Sequence, residues 1–198
     1  MRRSAHGTVK YLAKDEVSRF FRAIPKANLR DRLLFNLMYL HGLRRGEVAI
    51  LTVNAVQNGR IVVTRLKHGV SKTYQLFPSS SKLLVRYLRL RGDDACPYLF
   101  RGRQLRCAPL SGRLIDHLFR RYATAADLPA DRRHSHVLRH SIGVHMANEG
   151  FDISDVGDHL GHADLTSTAI YFEITDKRRA ANFRRMLRSR EIERSGGF

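Results

Sequence analysis

Apolar residues recur every three or four positions along most of this chain, which is the spacing of helices that bury one face. The first such segment opens at Ala13 and ends before Pro25, because proline has no backbone N–H to continue a helix. The same spacing predicts further helices over residues 29–41, 110–125, 137–149, 153–160 and 176–194. Asp164 or Thr166 is predicted to cap one more helix between the last two.

The pattern changes near residue 59, where short runs rich in β-branched and aromatic residues replace the helical spacing. Residues 59–64 and 73–77 are two such runs, and a segment with a glycine, 67–72, lies between them. This arrangement predicts a β-hairpin. Pro78-Ser79-Ser80 then opens another helix, and a loop follows at about 92–108. The predicted fold is mainly α with a small antiparallel β-sheet, an α+β class.

Charge is the unusual feature of the composition. Among 198 residues, 36 Lys and Arg face 18 Asp and Glu, giving a formal charge of +18, while 43% of the chain is hydrophobic. A folded domain with this excess repels itself, and a polyanion such as nucleic acid offsets that repulsion. An anionic membrane is the rival partner, but the basic residues are spread along the chain rather than lining one amphipathic helix.

No run of about 18 apolar residues is present, so no membrane span is predicted. The N-terminus carries no apolar signal core, and a cytoplasmic, nucleoid-associated location of the bacterial type is expected. Cys96 and Cys107 have no metal-site spacing. They can pair, but free thiols in a reducing cytoplasm are the prediction.

Two segments carry side chains suited to binding a phosphate. His136 and Arg139 are three residues apart and share one helical face, where a guanidinium can hold two oxygens while an imidazole donates a bond or moves a proton. Arg44 lies two residues after Gly42 and precedes a helical turn, a position suited to pointing into a cleft, and Glu47 is placed to brace it. Taken singly, the His136 and Arg139 pair is better explained as part of a solvated charged face, and the alternative for Arg44 is an exposed charged turn.

Three further positions complete the candidate chemistry. Lys67, at the turn of the predicted hairpin, can reach a DNA groove and donate a proton. Gly161 allows a sharp bend before His162, and Tyr171 follows nine residues later on the next helix. A solvated turn lysine and a core tyrosine are the plain alternatives. His159 and His162 are too few ligands for a metal site.

The order of these segments resembles the tyrosine recombinase (phage integrase) family over roughly residues 12–176. The matching pieces, in chain order, are Gly42-Leu43-Arg44-x-x-Glu47, Lys67, His136-x-Leu138-Arg139-His140-Ser141, Leu160-Gly161-His162 and Thr168-x-x-Tyr171. The resemblance implies the catalytic-domain fold of that family. It also implies attack by Tyr171 on a DNA phosphate, with a 3′-phosphotyrosyl intermediate and no metal, nucleotide or other cofactor.

The resemblance also implies a role for each remaining candidate. Arg44 and Arg139 are expected to clamp the non-bridging oxygens of the phosphate. Lys67 is expected to protonate the leaving 5′ oxygen. His136 is expected to accept or orient the tyrosine proton, and His162 to donate a hydrogen bond to the phosphate.

The chain departs from the family pattern at its ends. Many members carry a separate helical DNA-binding domain, whereas here a basic arm at 1–10 precedes a catalytic domain at 11–176 and a basic tail helix at 177–198. Three explanations stay open: the arm helps to grip DNA, a partner does so, or the chain is a short single-domain member similar to the fimbrial switch inverters. Ser135 stands where many members have proline. The tail is expected to pack on a neighbouring protomer, with packing on its own chain as the alternative.

Site-specific recombination by integration, inversion, excision or resolution is the leading hypothesis, and it fits a protein of a mobile element. The expected partners are double-stranded DNA, other copies of the chain in a tetramer on paired sites, and accessory DNA-bending proteins. Two alternatives stay open. One is a nick-and-reseal enzyme of the type IB topoisomerase kind, and the other is a DNA-binding regulator that has lost catalysis.

Overall fold

A computed structural model of the chain describes residues 9–64, 71–92, 95–102, 107–162 and 164–195. Its helices are α1 (Lys14–Ala23), α2 (Leu29–Leu40), α3 (Arg45–Ala49), α4 (Pro78–Arg91), α5 (Gly112–Ala125), α6 (Val137–Glu149), α7 (Ile153–Leu160) and α8 (Thr166–Ser195). Its strands are β1 (Val56–Gln57), β2 (Arg60–Thr64) and β3 (Ser71–Gln75), and a 3₁₀ turn covers Ala130–Arg132. The mainly α fold with a small sheet is confirmed.

Side chains at the helix ends account for several of these boundaries. The first backbone N–H groups of a helix have no partner within it, so a polar residue just before the helix accepts from them. Asn28, Ser111 and Asp152 do this for α2, α5 and α7. Gly150 and Gly161 adopt left-handed backbone angles after α6 and α7, which ends each helix there.

The sheet is antiparallel, with strand order β1-β2-β3. Ile61 of β2 pairs with Tyr74 of β3, and Val63 pairs with Lys72. Ile61 and Val63 are fully buried while their neighbours along β2 are exposed, because successive strand side chains point to opposite faces. The predicted hairpin is confirmed, and the two-residue strand β1 was not anticipated. The turn joining β2 to β3 lies outside the described residues.

Two hydrophobic clusters hold the elements together. The large cluster takes residues from α1, α2, the sheet, α4, α5 and the start of α6. The small cluster lies where α6, α7 and α8 meet, and its buried members are Val144, Met146, Val156, Leu160 and Tyr171. Because α6 contributes to both clusters, it joins the two parts of the fold.

Helix α8 continues without a break from Thr166 to Ser195. The sequence pattern divided this stretch at residues 176 and 177, so the expected boundary between catalytic domain and tail falls inside one helix. Asp164 accepts the Thr166 backbone N–H at 2.9 Å, which starts the helix. Phe183 and Met186, in its later part, are 56% and 43% exposed. The division into arm, domain and tail stays a prediction.

The expectation of free thiols is wrong in this structure, where Cys96 and Cys107 form a disulfide with their Cα atoms 5.4 Å apart. The loop between α4 and α5 doubles back, and an isolated antiparallel β-bridge between Arg101 and Pro109 pairs its two sides. Chain folding, rather than spacing, brings the sulfurs into reach. Within the described residues, we find no helix with both the length and the apolar character needed to cross a membrane.

Candidate active site

Five of the six predicted catalytic residues line one cavity of about 580 Å³, here called the tyrosine cavity. They are Arg44, His136, Arg139, His162 and Tyr171. Four elements bring them together: the turn before α3, the start of α6, the turn after α7, and α8. The sixth residue, Lys67, lies outside the described residues.

Arg44 is held by a carboxylate from its own helical turn. Its guanidinium donates to Glu47 Oε1 at 2.9 Å, and its backbone N–H donates to Glu47 Oε2, also at 2.9 Å. Glu47 is buried, whereas the Arg44 side chain remains 24% exposed towards the cavity. A partly buried ion pair with a second hydrogen bond fixes the arginine more firmly than a surface pair does. The predicted bracing by Glu47 is confirmed.

Arg139 is buried, with 2% of its surface exposed. Its guanidinium donates to the backbone carbonyl of Gly42, which ties α6 to the turn that leads into Arg44. Gly42 has a φ of +58°, and an added Cβ there would lie 2.5 Å from Leu160 Cδ2. Glycine is therefore required at this position both by the backbone angle and by the close approach of α7. The two arginines share one rigid support.

Tyr171 is 2% exposed, and its hydroxyl lies 3.0 Å from His140 Nδ1. Its ring packs on Gly143, where an added Cβ would be 2.8 Å from Tyr171 Cε2. Burial raises the pKa of the phenol, while the positive charges of Arg139 and Arg44 act in the opposite direction. The hydroxyl therefore keeps its proton at neutral pH.

His136 and His140 lie one helical turn apart, with ring centroids 4.5 Å apart and the planes nearly perpendicular. Burial, the neighbouring His136 and the Arg139 charge lower the pKa of His140 to about 3. Partial desolvation at the cavity wall, with Arg139 and Arg44 nearby, lowers the pKa of His136 to about 4. Both imidazoles are neutral at pH 7, so each has one nitrogen that can accept a proton.

His140 is the functional candidate that the sequence reasoning missed. The family motif contains His140, but the resemblance pairs the Tyr171 hydroxyl with His136. A signal was present, because residues 136, 139 and 140 lie on one helical face. The structure places His140, and not His136, in hydrogen-bond contact with the tyrosine.

His162 follows the left-handed Gly161 and so turns back over the start of α8. Its Nδ1 lies 2.8 Å from Thr168 Oγ1, and its ring stacks on Tyr171 with centroids 6.3 Å apart. Thr168 is fully buried. This contact sets the orientation of the imidazole at the wall of the tyrosine cavity.

A second cavity of about 590 Å³ adjoins the first and shares Arg44 and His136 with it. On its wall, Asp116 of α5 accepts hydrogen bonds from Arg45 and from the Ser135 hydroxyl. Ser135 is the position where many members of the resembling family have proline. Here a carboxylate fixes the turn before His136, a function that the proline ring would otherwise serve through its fixed φ.

The comparisons with known proteins agree with this geometry. The model of the phage integrase family matches residues 10–178. Tyrosine recombinase XerA of Pyrococcus furiosus is 34% identical over 171 residues, which are 85% of this chain and 58% of the relative. Tyrosine recombinase XerD of Haemophilus influenzae is 30% identical over 180 residues, covering 85% and 59%. The chain thus spans somewhat more than half the length of these relatives.

Solved structures show the same fold. The crystal structure of XerA recombinase superposes with a TM-score of 0.73 at 28% identity, over 86% of this chain and 60% of that one. XerH recombinase bound to a palindromic difH substrate, in a post-cleavage complex, has a TM-score of 0.77 at 24% identity, over 89% and 53%. By its matched region, its fold and the placement of its motif residues, the chain belongs to the phage integrase family.

Proposed function

We propose that this chain is a site-specific DNA recombinase that cuts and rejoins duplex DNA through a 3′-phosphotyrosyl intermediate. The observation that carries the proposal is the tyrosine cavity, where the Tyr171 hydroxyl lies among Arg44, Arg139 and His162. A nucleophile that shares one cavity with two guanidinium groups suits attack on a bound phosphodiester. The six catalytic residues, with Lys67 among them, are part of this proposal.

Phosphoryl transfer requires positioning and charge stabilisation rather than elaborate covalent chemistry. Arg44 and Arg139 neutralise the non-bridging oxygens, and His162 donates one further bond through Nε2. Lys67 gives a proton to the 5′ oxygen as it leaves. The new phosphotyrosyl bond conserves the energy of the broken phosphodiester, so rejoining needs no nucleotide. Neither a metal nor a cofactor is part of the proposed reaction.

The proposed partners are duplex DNA and further copies of the chain. A formal charge of +18 favours a polyanion, and binding of this kind weakens steeply with added salt as counterions are released. A lambda integrase tetramer has been solved on a Holliday junction, and it shares this fold with a TM-score of 0.65. Phe183 and Met186 of α8, both exposed, supply an apolar surface for a neighbouring protomer. DNA-bending accessory proteins and a cytoplasmic, nucleoid-associated location stay predictions.

A nicked suicide substrate tests the proposal. The protein is incubated with nicked duplexes from its own genetic neighbourhood, in EDTA, and covalent protein–DNA adducts are separated on a denaturing gel. We expect an adduct that Tyr171→Phe abolishes while DNA binding persists. Tyr171→Phe removes only the hydroxyl, so it is matched in shape. An adduct that survives in this variant would mean that another residue is the nucleophile.

The same preparation separates recombination from nick-and-reseal relaxation. A recombinase needs paired sites and exchanges strands between them, whereas a type IB topoisomerase relaxes any supercoiled duplex. We expect strand exchange between two copies of the mapped site, and we expect its loss on removal of residues 177–198. Relaxation of plasmids that lack the site, without strand exchange, would favour the hypothesis of a type IB topoisomerase.

A further inference from the structure

Among the described residues, His140 makes a hydrogen-bond contact with the reacting end of the proposed nucleophile, Tyr171. The His140 Nδ1 atom lies 3.0 Å from the Tyr171 hydroxyl, and the ring centroids are 5.8 Å apart. His140 is half-buried on α6, and Tyr171 reaches it from α8. Such a distance allows direct proton transfer between the two groups.

We propose that His140 takes the proton from Tyr171 during cleavage and returns it during rejoining. The inference rests on the proposed function and names the base within that site. In cleavage, Tyr171 Oη forms a bond to phosphorus as its proton passes to His140 Nδ1. The bond from phosphorus to the 5′ oxygen breaks, and that oxygen takes a proton from the Lys67 ammonium. Rejoining reverses each transfer, so protons balance over the cycle.

The position of His136 favours a different task for that residue. It lines both the tyrosine cavity and the adjoining Asp116 cavity. His140 lines the tyrosine cavity and does not appear on the wall of the other. His136 is therefore placed to touch a phosphate oxygen at the rim, whereas His140 faces the nucleophile itself.

The charges around the pair link proton transfer to DNA binding. His136, Arg139 and His134 face His140, and together with burial they disfavour its protonated form. Arg44 and the stacked His162 lie on the Tyr171 side, and Asp164 is the carboxylate at the rim. These surroundings favour the neutral form of both groups. A phosphate bound between the arginines offsets their charge, stabilises the imidazolium and so permits the transfer.

The first test compares His140→Gln with wild-type protein in single-turnover adduct formation over a range of pH. A glutamine oxygen can accept the Tyr171 hydrogen bond but cannot take the proton. A positioned base contributes roughly 10²- to 10⁴-fold to a rate. We expect a loss of about 100-fold at unchanged DNA binding. The wild-type rate should rise with pH as the imidazole of bound complexes deprotonates, and this rise should vanish in His140→Gln.

A substrate with sulfur in place of the bridging 5′ oxygen separates the base from the acid. A thiolate leaves without a proton, so this substrate should not need the acid. We expect it to restore the adduct rate of Lys67→Ala, the matched control, and to leave the adduct rate of His140→Gln low. If His140→Gln misfolds, His140→Ala with added imidazole replaces it, and imidazole should restore the rate. Tyr171→Phe runs alongside, and an adduct there overturns the proposed function rather than the role of His140.

Three results would overturn the role of His140 while the nucleophile stands. One is an adduct rate in His140→Gln that stays within about threefold of the wild-type rate and still rises with pH. Another is a restored adduct rate of His140→Gln with the sulfur substrate, which would mean that His140 acts on the leaving 5′ oxygen. The third is an inactive His140→Ala protein that is folded, binds DNA and does not respond to imidazole.

Discussion

The two hydrophobic clusters support different residues of the proposed site. The large cluster includes Leu43 and Val48 beside Arg44, and Val137 and Leu138 beside Arg139, so it supports the arginines. The small cluster contains Tyr171 itself. A large, close-packed core resists displacement, whereas a side chain in a small cluster depends on a few contacts. The cations are therefore fixed by the main fold, and the nucleophile is fixed by local packing.

This difference separates two ways of losing activity. Changes among the arginines remove charge from a frame that stays in place. Changes in the small cluster leave the charges intact and shift the tyrosine. The first kind should change the stabilisation of the transition state, and the second should change how often the hydroxyl is correctly placed.

Arg139→Ala should have the largest effect. It removes a buried cation from the phosphate site and leaves the Gly42 carbonyl without this donor. Loss of one oxyanion-stabilising group lowers a rate by about 10²- to 10³-fold. We expect single-turnover adduct formation to fall by at least this factor, because the turn that carries Arg44 also loses its anchor. The measurement is the rate at saturating DNA.

Arg121→Ala is the control for charge alone. Arg121 is exposed on α5 and lines neither cavity. The substitution removes one positive charge, so it should weaken DNA binding slightly and leave the rate of adduct formation at saturating DNA unchanged. Equal losses in the two variants would mean that overall charge, and not the fixed position of Arg139, governs the rate.

Gly143→Ala should have an intermediate effect and should act on the nucleophile alone. The new methyl group would lie within 3 Å of two Tyr171 ring atoms, so the ring must move. Overpacking of this kind costs about 1–3 kcal/mol. We expect the adduct rate to fall by about tenfold or more, together with a lower melting temperature.

Ile24→Val is the matched control in the large cluster. Ile24 is fully buried, and loss of one methylene there costs about 0.5–1.5 kcal/mol. Its melting temperature should fall while the adduct rate at a temperature well below melting stays the same. If Ile24→Val slowed cleavage as much as Gly143→Ala does, the two clusters would not be separate supports.

Local signals in the sequence were enough to predict most elements and to select five residues that meet in the tyrosine cavity. The limits of α6 and α7 were predicted residue for residue, because Gly150 and Gly161 end them with left-handed backbone angles. No glycine or proline marks residue 176, and so α8 continues where two helices were expected. The strand β1 is two residues long, which is too short to show a period.

What the sequence could not show were contacts between distant elements. The disulfide forms because the 92–108 loop doubles back and brings Cys96 close to Cys107. The prediction of free thiols rested on the redox state of the cytoplasm, which does not indicate how the loop folds. The contact of His140 with Tyr171 joins residues 31 apart on two helices. Spacing placed His136 and His140 on one face, but the position of α8 decides which of them meets the hydroxyl.

Thr168→Val should have the smallest effect, and it tests whether α8, which carries Tyr171, also orients His162. Valine keeps the shape of threonine but removes the hydroxyl that lies 2.8 Å from His162 Nδ1. One such hydrogen bond contributes about 1 kcal/mol, so the adduct rate should fall by roughly fivefold. The imidazole then turns more freely, and Nε2 is less often directed at the phosphate. In His162→Ala the same threonine change should have no further effect, since the ring it orients is gone. Additive losses in the double variant would instead mean that Thr168 acts on the packing of α8, with His162 held by other contacts.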